Sequence, residues 1–159
     1  MSSEAVVPDG FVPYSEPSPF LDRIGPLYER DDADGLAIGL LVLEQHCNRR
    51  GFAHGGLLVT LADIALGKTG ERRSTPRRTL LTTSLVFDFV NIARRGEWIE
   101  AQCDFYRTGR EIAFANCYVR RGGDVIGRAS GVFKVLSIRR DDVDGPSHSA
   151  PSPSGPIPS

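Results

Sequence analysis

The amino-acid sequence predicts an α+β domain in which a curved antiparallel sheet wraps around one long central helix. Residues 57–66 are apolar except at Thr60 and Asp63. Because this run is too short to span a bilayer and shows no strict alternation of apolar and polar residues, it predicts a buried helix. Residues 36–43 form an apolar run bounded by turn residues, which is typical of a central strand. Beyond residue 80 the chain alternates and turns repeatedly, which predicts a four-strand antiparallel meander. A helix that is apolar on every side needs a sheet curled around it and a second copy over its open side.

The predicted N-terminal lead-in covers residues 1–34. Residues 1–19 are rich in proline and serine and lack periodicity, so we expect them to be loosely held. Apolar side chains spaced for one helical face then predict a short helix, with Ser18 as its cap and Pro19 at its first position. The Gly-Pro pair at residues 25–26 ends this helix.

The main predicted domain covers residues 35–138. Gly55 and Gly56 begin the central helix and leave its first backbone N–H groups unobstructed, where no partner exists within the helix. A basic loop, residues 68–78, is expected to follow the helix. Residues 139–159 are rich in Asp, Ser, Pro and Gly and predict a disordered tail.

The four strands of the predicted meander are separated by glycine-containing turns. In the first strand, residues 80–91, the alternation places Leu81, Thr83 and Phe87 on one face. Small residues on one face of the last strand, Gly131 among them, predict that another element approaches closely there. The other three strands are predicted to begin near Ile99, Glu111 and Val125.

Composition limits the function classes. The chain has 159 residues and a net charge of −1, so its overall field gives no reason to expect nucleic acid or an anionic membrane as a partner. The three cysteines, Cys47, Cys103 and Cys117, show no metal-ligand or disulfide-framework spacing. No basic segment followed by an apolar run is visible at the N-terminus. We therefore expect a soluble cytoplasmic protein without a metal site.

Asp63 is the one acidic residue in the apolar helix. A carboxylate in such a place must find hydrogen-bond donors or shift its pKa upward, and either course costs free energy. A structural Asp that accepts bonds from a neighbouring element or an opposing chain is one interpretation. The other, which we favour, is a functional carboxylate at the floor of a cleft.

The pattern of Asn48, His54-Gly55-Gly56 and Asp63 resembles the hotdog-fold acyl-CoA thioesterases of the phenylacetate-degradation (PaaI-like) type. The match covers roughly residues 35–137 in unbroken order, so it is more specific than an isolated His-Gly-Gly. Relatives carry Arg-Pro or Ser-Pro at the place where this chain has residues 91–92, Asn-Ile. Further signature stretches of that family correspond to residues 86–89, 93–96 and 131–133.

The resemblance implies a hotdog domain that hydrolyses an acyl-CoA, with aromatic or medium-chain acyl groups favoured. It also implies a homodimer with two shared active sites, often doubled to a tetramer, and no cofactor other than the coenzyme A of the substrate. Asp63 corresponds to the carboxylate that attacks the acyl carbon or activates water, and sequence does not separate these routes. The Gly56 N–H, assisted by Gly55, corresponds to the oxyanion donor at the positive helix end.

Three further residues take roles from the resemblance, each with a structural alternative. Asn48 corresponds to the residue that orients the water or the thioester, or it only forms a turn. His54 hydrogen-bonds the thioester side, or it only ties the loop backbone. Thr82 corresponds to a Ser or Thr that contacts the carboxylate, although the register leaves neighbouring Thr83 open and either is also an ordinary strand residue.

The spacing of Gly56 and Asp63 bears on how the site is assembled. Seven helical residues separate them, so they lie about 10 Å apart along the helix axis. Both cannot contact one thioester carbonyl from the same chain. If both act on one carbon atom, they must come from two different protomers.

Six arginines lie in the two loops that flank the helix, and Arg77 and Arg78 are the pair we assign to the phosphates of coenzyme A. The planar guanidinium makes bidentate contacts with phosphate, although a solvated loop carries such charges equally well. The hydratase pattern of an Asp followed five residues later by a His is missing. A non-catalytic acyl-CoA binding or sensing protein on the same scaffold remains as the alternative function.

Overall fold

The computed structural model describes residues 7–136, and it confirms the predicted α+β hotdog architecture of one long helix held by an antiparallel sheet. The disordered tail predicted for residues 139–159 lies outside the described residues. The helices are α1 (Pro19–Ile24), α2 (Gly55–Arg73) and a 3-10 turn (Glu44–His46). The strands are β1 (Val12–Pro13), β2 (Tyr28–Asp32), β3 (Gly35–Leu41), β4 (Thr79–Phe89), β5 (Trp98–Thr108), β6 (Ile112–Arg121) and β7 (Asp124–Leu136).

All seven strands pair antiparallel in the order β1-β2-β3-β5-β6-β7-β4. The predicted four-strand meander is therefore wrong for its first member, because β4 pairs with β7 and lies at the sheet edge, while β3 pairs with β5. Residues 90–97 connect that edge strand to β5 in the middle of the sheet. Within this connection the Ala93 carbonyl accepts a hydrogen bond from the Ala53 N–H. Alternation identifies a strand but carries no information about its neighbour.

The lead-in adds two strands that the sequence analysis does not predict. Strand β2 pairs with β3, and β1 pairs with β2. Phe11 and Tyr14 are buried, and the Phe11 ring packs edge-on against Trp98, so residues near β1 belong to the core rather than to a loosely held segment. Strand β2 reads Tyr-Glu-Arg-Asp-Asp, which has no apolar alternation to detect. The predicted short helix is confirmed as α1, and Ser18 caps it by accepting a hydrogen bond from the Leu21 backbone.

Helix α2 runs to Arg73, so the predicted basic loop is wrong for residues 68–73. The added turn is amphipathic: Thr69 and Gly70 are buried, whereas Arg72 and Arg73 bind acidic side chains of β2. Gly131 of β7 lies close enough to the helix that a Cβ built there would meet Leu66 at 3.2 Å, as the small residues predict. Buried residues of α2 that face the sheet are Leu57, Leu58, Leu61, Ala62, Ala65 and Leu66.

Within residues 7–136, no helix is both long and apolar enough to cross a membrane.

Candidate functional site

The carboxylate of Asp63 and the hydroxyl of Thr82 form the centre of the candidate site. Asp63 lies in the middle of α2 and Thr82 lies on β4, and the Thr82 hydroxyl donates a 2.8 Å hydrogen bond to Asp63 Oδ1. Hydrogen bonds to charged groups are stronger than those between neutral groups. The contact therefore holds one carboxylate oxygen in place, and the other makes no hydrogen bond within residues 7–136.

A bulge in β4 decides which threonine reaches the carboxylate. The pairing of β4 with β7 shifts between Thr82 and Ser84, so one extra residue is inserted there and the faces of the strand exchange. Thr83 instead donates to the backbone carbonyl of Val132 at 2.9 Å. The predicted face of Leu81, Thr83 and Phe87 is accordingly wrong, because an uninterrupted alternation cannot include a bulge.

Asp63 is half-buried and borders a cavity of about 400 Å³. The single chain leaves this side of α2 open, and this is the side that the predicted second copy would cover. The cavity has an apolar part, formed by Leu21, Ile64 and Leu80, and a polar part, which contains Lys68. This combination is typical of sites for small organic ligands. The remaining lining residues are Tyr14, Glu16, Pro17, Ser18, Gly67, Glu71 and Thr82.

An ion-pair cluster holds the polar wall of this cavity. Lys68 Nζ donates to Glu16 at 2.7 Å and to Glu71 at 2.9 Å. Burial alone would lower the pKa of Lys68, but these two carboxylates raise it above its usual value. The hydrogen bond from Lys68 lowers the pKa of Glu16. The cluster therefore keeps both groups charged and fastens the segment before α1 onto the central helix.

The Tyr14 side chain is a second polar feature of the wall. Burial raises its pKa to about 12, so the phenol is protonated at neutral pH. Its hydroxyl oxygen is buried and has no hydrogen-bond partner within residues 7–136. Tyr14, Glu16 and Lys68 could not be predicted as site residues, because nothing in the local sequence pattern shows that residues about 50 positions apart meet.

His54 caps the N-terminus of α2. Its Nδ1 accepts a 3.0 Å hydrogen bond from the Gly56 N–H. The expectation that this N–H is free is therefore wrong for this structure, because the His54 imidazole accepts its hydrogen bond as an N-cap. Gly55 lies beneath the exposed ring of Phe89, where a Cβ would approach that ring to 3.0 Å.

Asn48 organises the loop that leads into α2. Its side-chain oxygen accepts hydrogen bonds from the backbone N–H groups of Arg50 and Phe52, at 2.9 and 3.3 Å. This is the turn-forming arrangement that the sequence analysis gives as the structural alternative. The amide nitrogen of Asn48 makes no hydrogen bond within the described part of the chain, so it is the atom that could orient the water or the thioester.

Four of the six flanking arginines fall into two groups. Arg72 and Arg73 form ion pairs with Glu29 and Asp31, at 2.8 and 2.6 Å, and so serve the fold. Arg77 is largely exposed and contacts Glu16 at 3.1 Å. Arg78 forms no ion pair among residues 7–136 and borders a separate surface cavity of about 380 Å³.

Comparison with known families and proteins gives a consistent result. The model of the family described as "Thioesterase superfamily" matches residues 50–128. A protein of Pseudomonas aeruginosa named "Putative esterase" is 41% identical over 130 residues, which is 81% of this chain and 97% of that protein.

Solved structures share the fold. Zebrafish thioesterase superfamily member 2 superposes with a TM-score of 0.64 at 28% identity, over 76% of this chain and 88% of that one. The Escherichia coli PaaI protein of the phenylacetic acid degradation operon gives 0.57 at 17% identity, over 64% and 72%. A Bacillus halodurans protein, solved with CoA, gives 0.63 at 22% identity, over 70% and 74%.

Proposed function

The chain belongs to the thioesterase superfamily and is a thioester hydrolase, and on this basis we propose that it cleaves acyl-CoA to a free acid and coenzyme A. Two observations support the acyl-CoA substrate. The Bacillus halodurans protein of similar fold was solved with CoA, and part of the wall of the cavity beside Asp63 is apolar. The apolar part suits an aromatic or medium-chain acyl group. The acyl carbon–sulfur bond breaks, water supplies the new oxygen, and the departing thiolate of coenzyme A takes up a proton to become the thiol.

The observation that carries the proposal is the 2.8 Å hydrogen bond between Thr82 and Asp63 at the wall of this cavity. A carboxylate fixed by one oxygen presents the other to the ligand space. In the nucleophilic route that oxygen attacks the acyl carbon, and in the general-base route it takes a proton from water. Thr82 has the same task in both routes, because it fixes the direction of the carboxylate.

In this mechanism the oxyanion is stabilised by the Gly56 N–H at the positive end of α2. Substrate binding turns the His54 ring away from that N–H, and the released imidazole is then placed to hydrogen-bond the thioester side. The N–H of Gly55 assists the Gly56 N–H from the same turn, and Gly55 has no side chain because the Phe89 ring occupies that space. The amide nitrogen of Asn48 supplies a further donor.

The site is proposed to be shared between two protomers. Gly56 and Asp63 lie about 10 Å apart along one helix, so one thioester carbonyl cannot reach both in a single chain. Strand β4 is an edge strand whose Val86 and Phe89 are exposed, and it carries the Thr82 side of the site. An unpaired apolar edge of this length favours pairing with a second copy. A homodimer joined at β4 covers the open side of α2, and two such dimers form the expected tetramer.

The test is release of free thiol from a panel of acyl-CoA substrates by the wild-type protein and by Asp63→Asn, with Asp104→Asn on β5 as the matched control. We expect turnover by the wild type and the control, and a loss of at least about a hundredfold in kcat for Asp63→Asn. Thiol release by Asp63→Asn at the wild-type rate would refute the catalytic role of this residue. Binding of acyl-CoA by the wild type without any thiol release would support the non-catalytic alternative.

A further inference from the structure

Two cysteines that the mechanism does not use lie opposite each other beneath the central helix. Cys103 of β5 and Cys117 of β6 are direct partners in the strand register. The thiol of Cys103 lies 3.4 Å from the Ala65 carbonyl of α2, and Cys117 is a buried core residue on the helix-facing side of β6. Both thiols therefore point to the same face of the sheet, where opposite side chains have Cβ atoms about 4.5–5.5 Å apart.

The two thiols differ in their access to solvent. Cys103 is half-buried and borders an open cleft of about 490 Å³ between the β2–β3 turn and the C-terminal half of α2. Cys117 is fully buried. A small oxidant in the cleft therefore reaches Cys103 first, and Cys117 is reached only from within the molecule.

The contact between the thiols also favours Cys103 as the reacting group. That contact lowers the pKa of Cys103, against the opposing effect of burial. The same contact, together with burial, raises the pKa of Cys117. A thiolate is the nucleophile in thiol oxidation, so the thiol with the lower pKa that borders the cleft is the first to react.

We propose that Cys103 and Cys117 are an oxidative modification site that closes an intramolecular disulfide between β5 and β6 on exposure to a hydroperoxide. The Cys103 thiol loses its proton, the thiolate attacks one peroxide oxygen, and the O–O bond breaks to give a sulfenic acid. The leaving hydroxide (or alkoxide) takes up the proton and becomes water (or alcohol). The Cys117 sulfur then attacks the sulfenic sulfur, its thiol proton leaves with the hydroxyl as water, and the S–S bond forms. Two thiols are oxidised and one peroxide is reduced.

The strand geometry fits this product. A disulfide needs Cβ atoms about 3.5–4.5 Å apart, so the two strands have to approach each other by about an ångström. The bulge that shifts the β5–β6 register immediately after Cys103 provides a place for this adjustment. The crosslink would enclose residues 103–117 and restrict the unfolded chain, which raises stability.

Cys47 serves as the internal control. It lies in the loop before α2, where its thiol is 3.4 Å from the Leu43 carbonyl, and it is not a strand partner of either other cysteine. Its thiol is expected to stay free when the other two pair.

The experiment treats the reduced full-length protein with hydrogen peroxide and measures its intact mass, its free thiols after denaturation, and the linked peptides. We expect the loss of two hydrogen atoms, a fall from three free thiols to one, and a Cys103–Cys117 linked peptide. The melting temperature of the oxidised protein should rise on the order of 5–10 °C, and a thiol reductant should reverse every change. Cys47→Ser should behave like the wild type.

Cys103→Ser and Cys117→Ala should each lose the two-hydrogen product, with Cys117→Ala retaining oxygen on Cys103. The wild-type measurement decides the proposal even if either variant fails to fold. Oxygen addition to the wild type without loss of two hydrogens would overturn it. So would a linked peptide that contains Cys47, or a crosslink between two chains on a non-reducing gel.

Discussion

Replacing Thr82 by valine removes the hydroxyl that holds Asp63 and changes little else. Valine has nearly the same shape as threonine and suits a strand, so β4 and its bulge are preserved. The lost contact is a 2.8 Å hydrogen bond to a carboxylate, which is typically worth about 1.5–3 kcal/mol. If this bond positions Asp63 in the transition state, kcat falls about 10- to 150-fold.

The adjacent Thr83→Val is the matched control, since the Thr83 hydroxyl donates to the Val132 carbonyl rather than to Asp63. Both variants lose one hydrogen bond, at neighbouring positions of the same strand. Steady-state kinetics of thiol release, with melting temperatures for both proteins, separates their effects. We expect a low kcat only for Thr82→Val and its recovery in Thr82→Ser. Equal kcat values for Thr82→Val and Thr83→Val would refute the positioning role of Thr82.

Three other changes give separate expectations. Gly56→Pro removes the proposed oxyanion N–H in the first turn of α2, where no hydrogen bond within the helix is lost but the His54 cap bond is. We expect kcat to fall about 100- to 1000-fold by thiol-release kinetics, whereas Gly56→Ala keeps the N–H and should lose much less. Charge reversal at Arg77 and Arg78 should raise KM for acyl-CoA several-fold with kcat unchanged, and an unchanged KM would remove these residues from coenzyme A binding. Because the fold lowers the pKa of Glu16, the ionised carboxylate stabilises the folded protein above the usual pKa of 4.5, and this stabilisation is lost as the pH falls below it. The melting temperature of Glu16→Gln should therefore fall less steeply below pH 4.5 than that of the wild type. A wild-type profile that matches the Glu16→Gln profile would contradict this ion-pair role.

The central helix and the segments of strands β3 to β7 could be predicted because each has a periodic or uninterrupted apolar pattern. Strand β2 could not, because its Glu29 and Asp31 face arginines of α2 and so replace apolar packing by ion pairs. The edge position of β4 was missed for a different reason. Strand order depends on which apolar faces meet in three dimensions, and the sequence pattern of β4 is the same beside either neighbour.

The candidate site was predictable in part. Asp63 stands out as a carboxylate within an apolar run, and the resemblance places Thr82 near it. The bulge that turns Thr82 rather than Thr83 toward Asp63 has no signature in the sequence. The bond from the Gly56 N–H to His54 was also missed, because a histidine beside two glycines does not reveal the direction of its ring.

Subunit exchange between Asp63→Asn and Gly56→Pro tests the shared site most directly. Each parent protein carries one defect in both of its sites, whereas a mixed dimer carries both defects in one site and none in the other. With random exchange, half of the dimers are mixed and half of their sites are intact, so the mixture should recover about a quarter of wild-type activity. Activity no greater than the average of the two parents, with exchange verified by mass spectrometry of the intact dimers, would contradict a site built from two protomers.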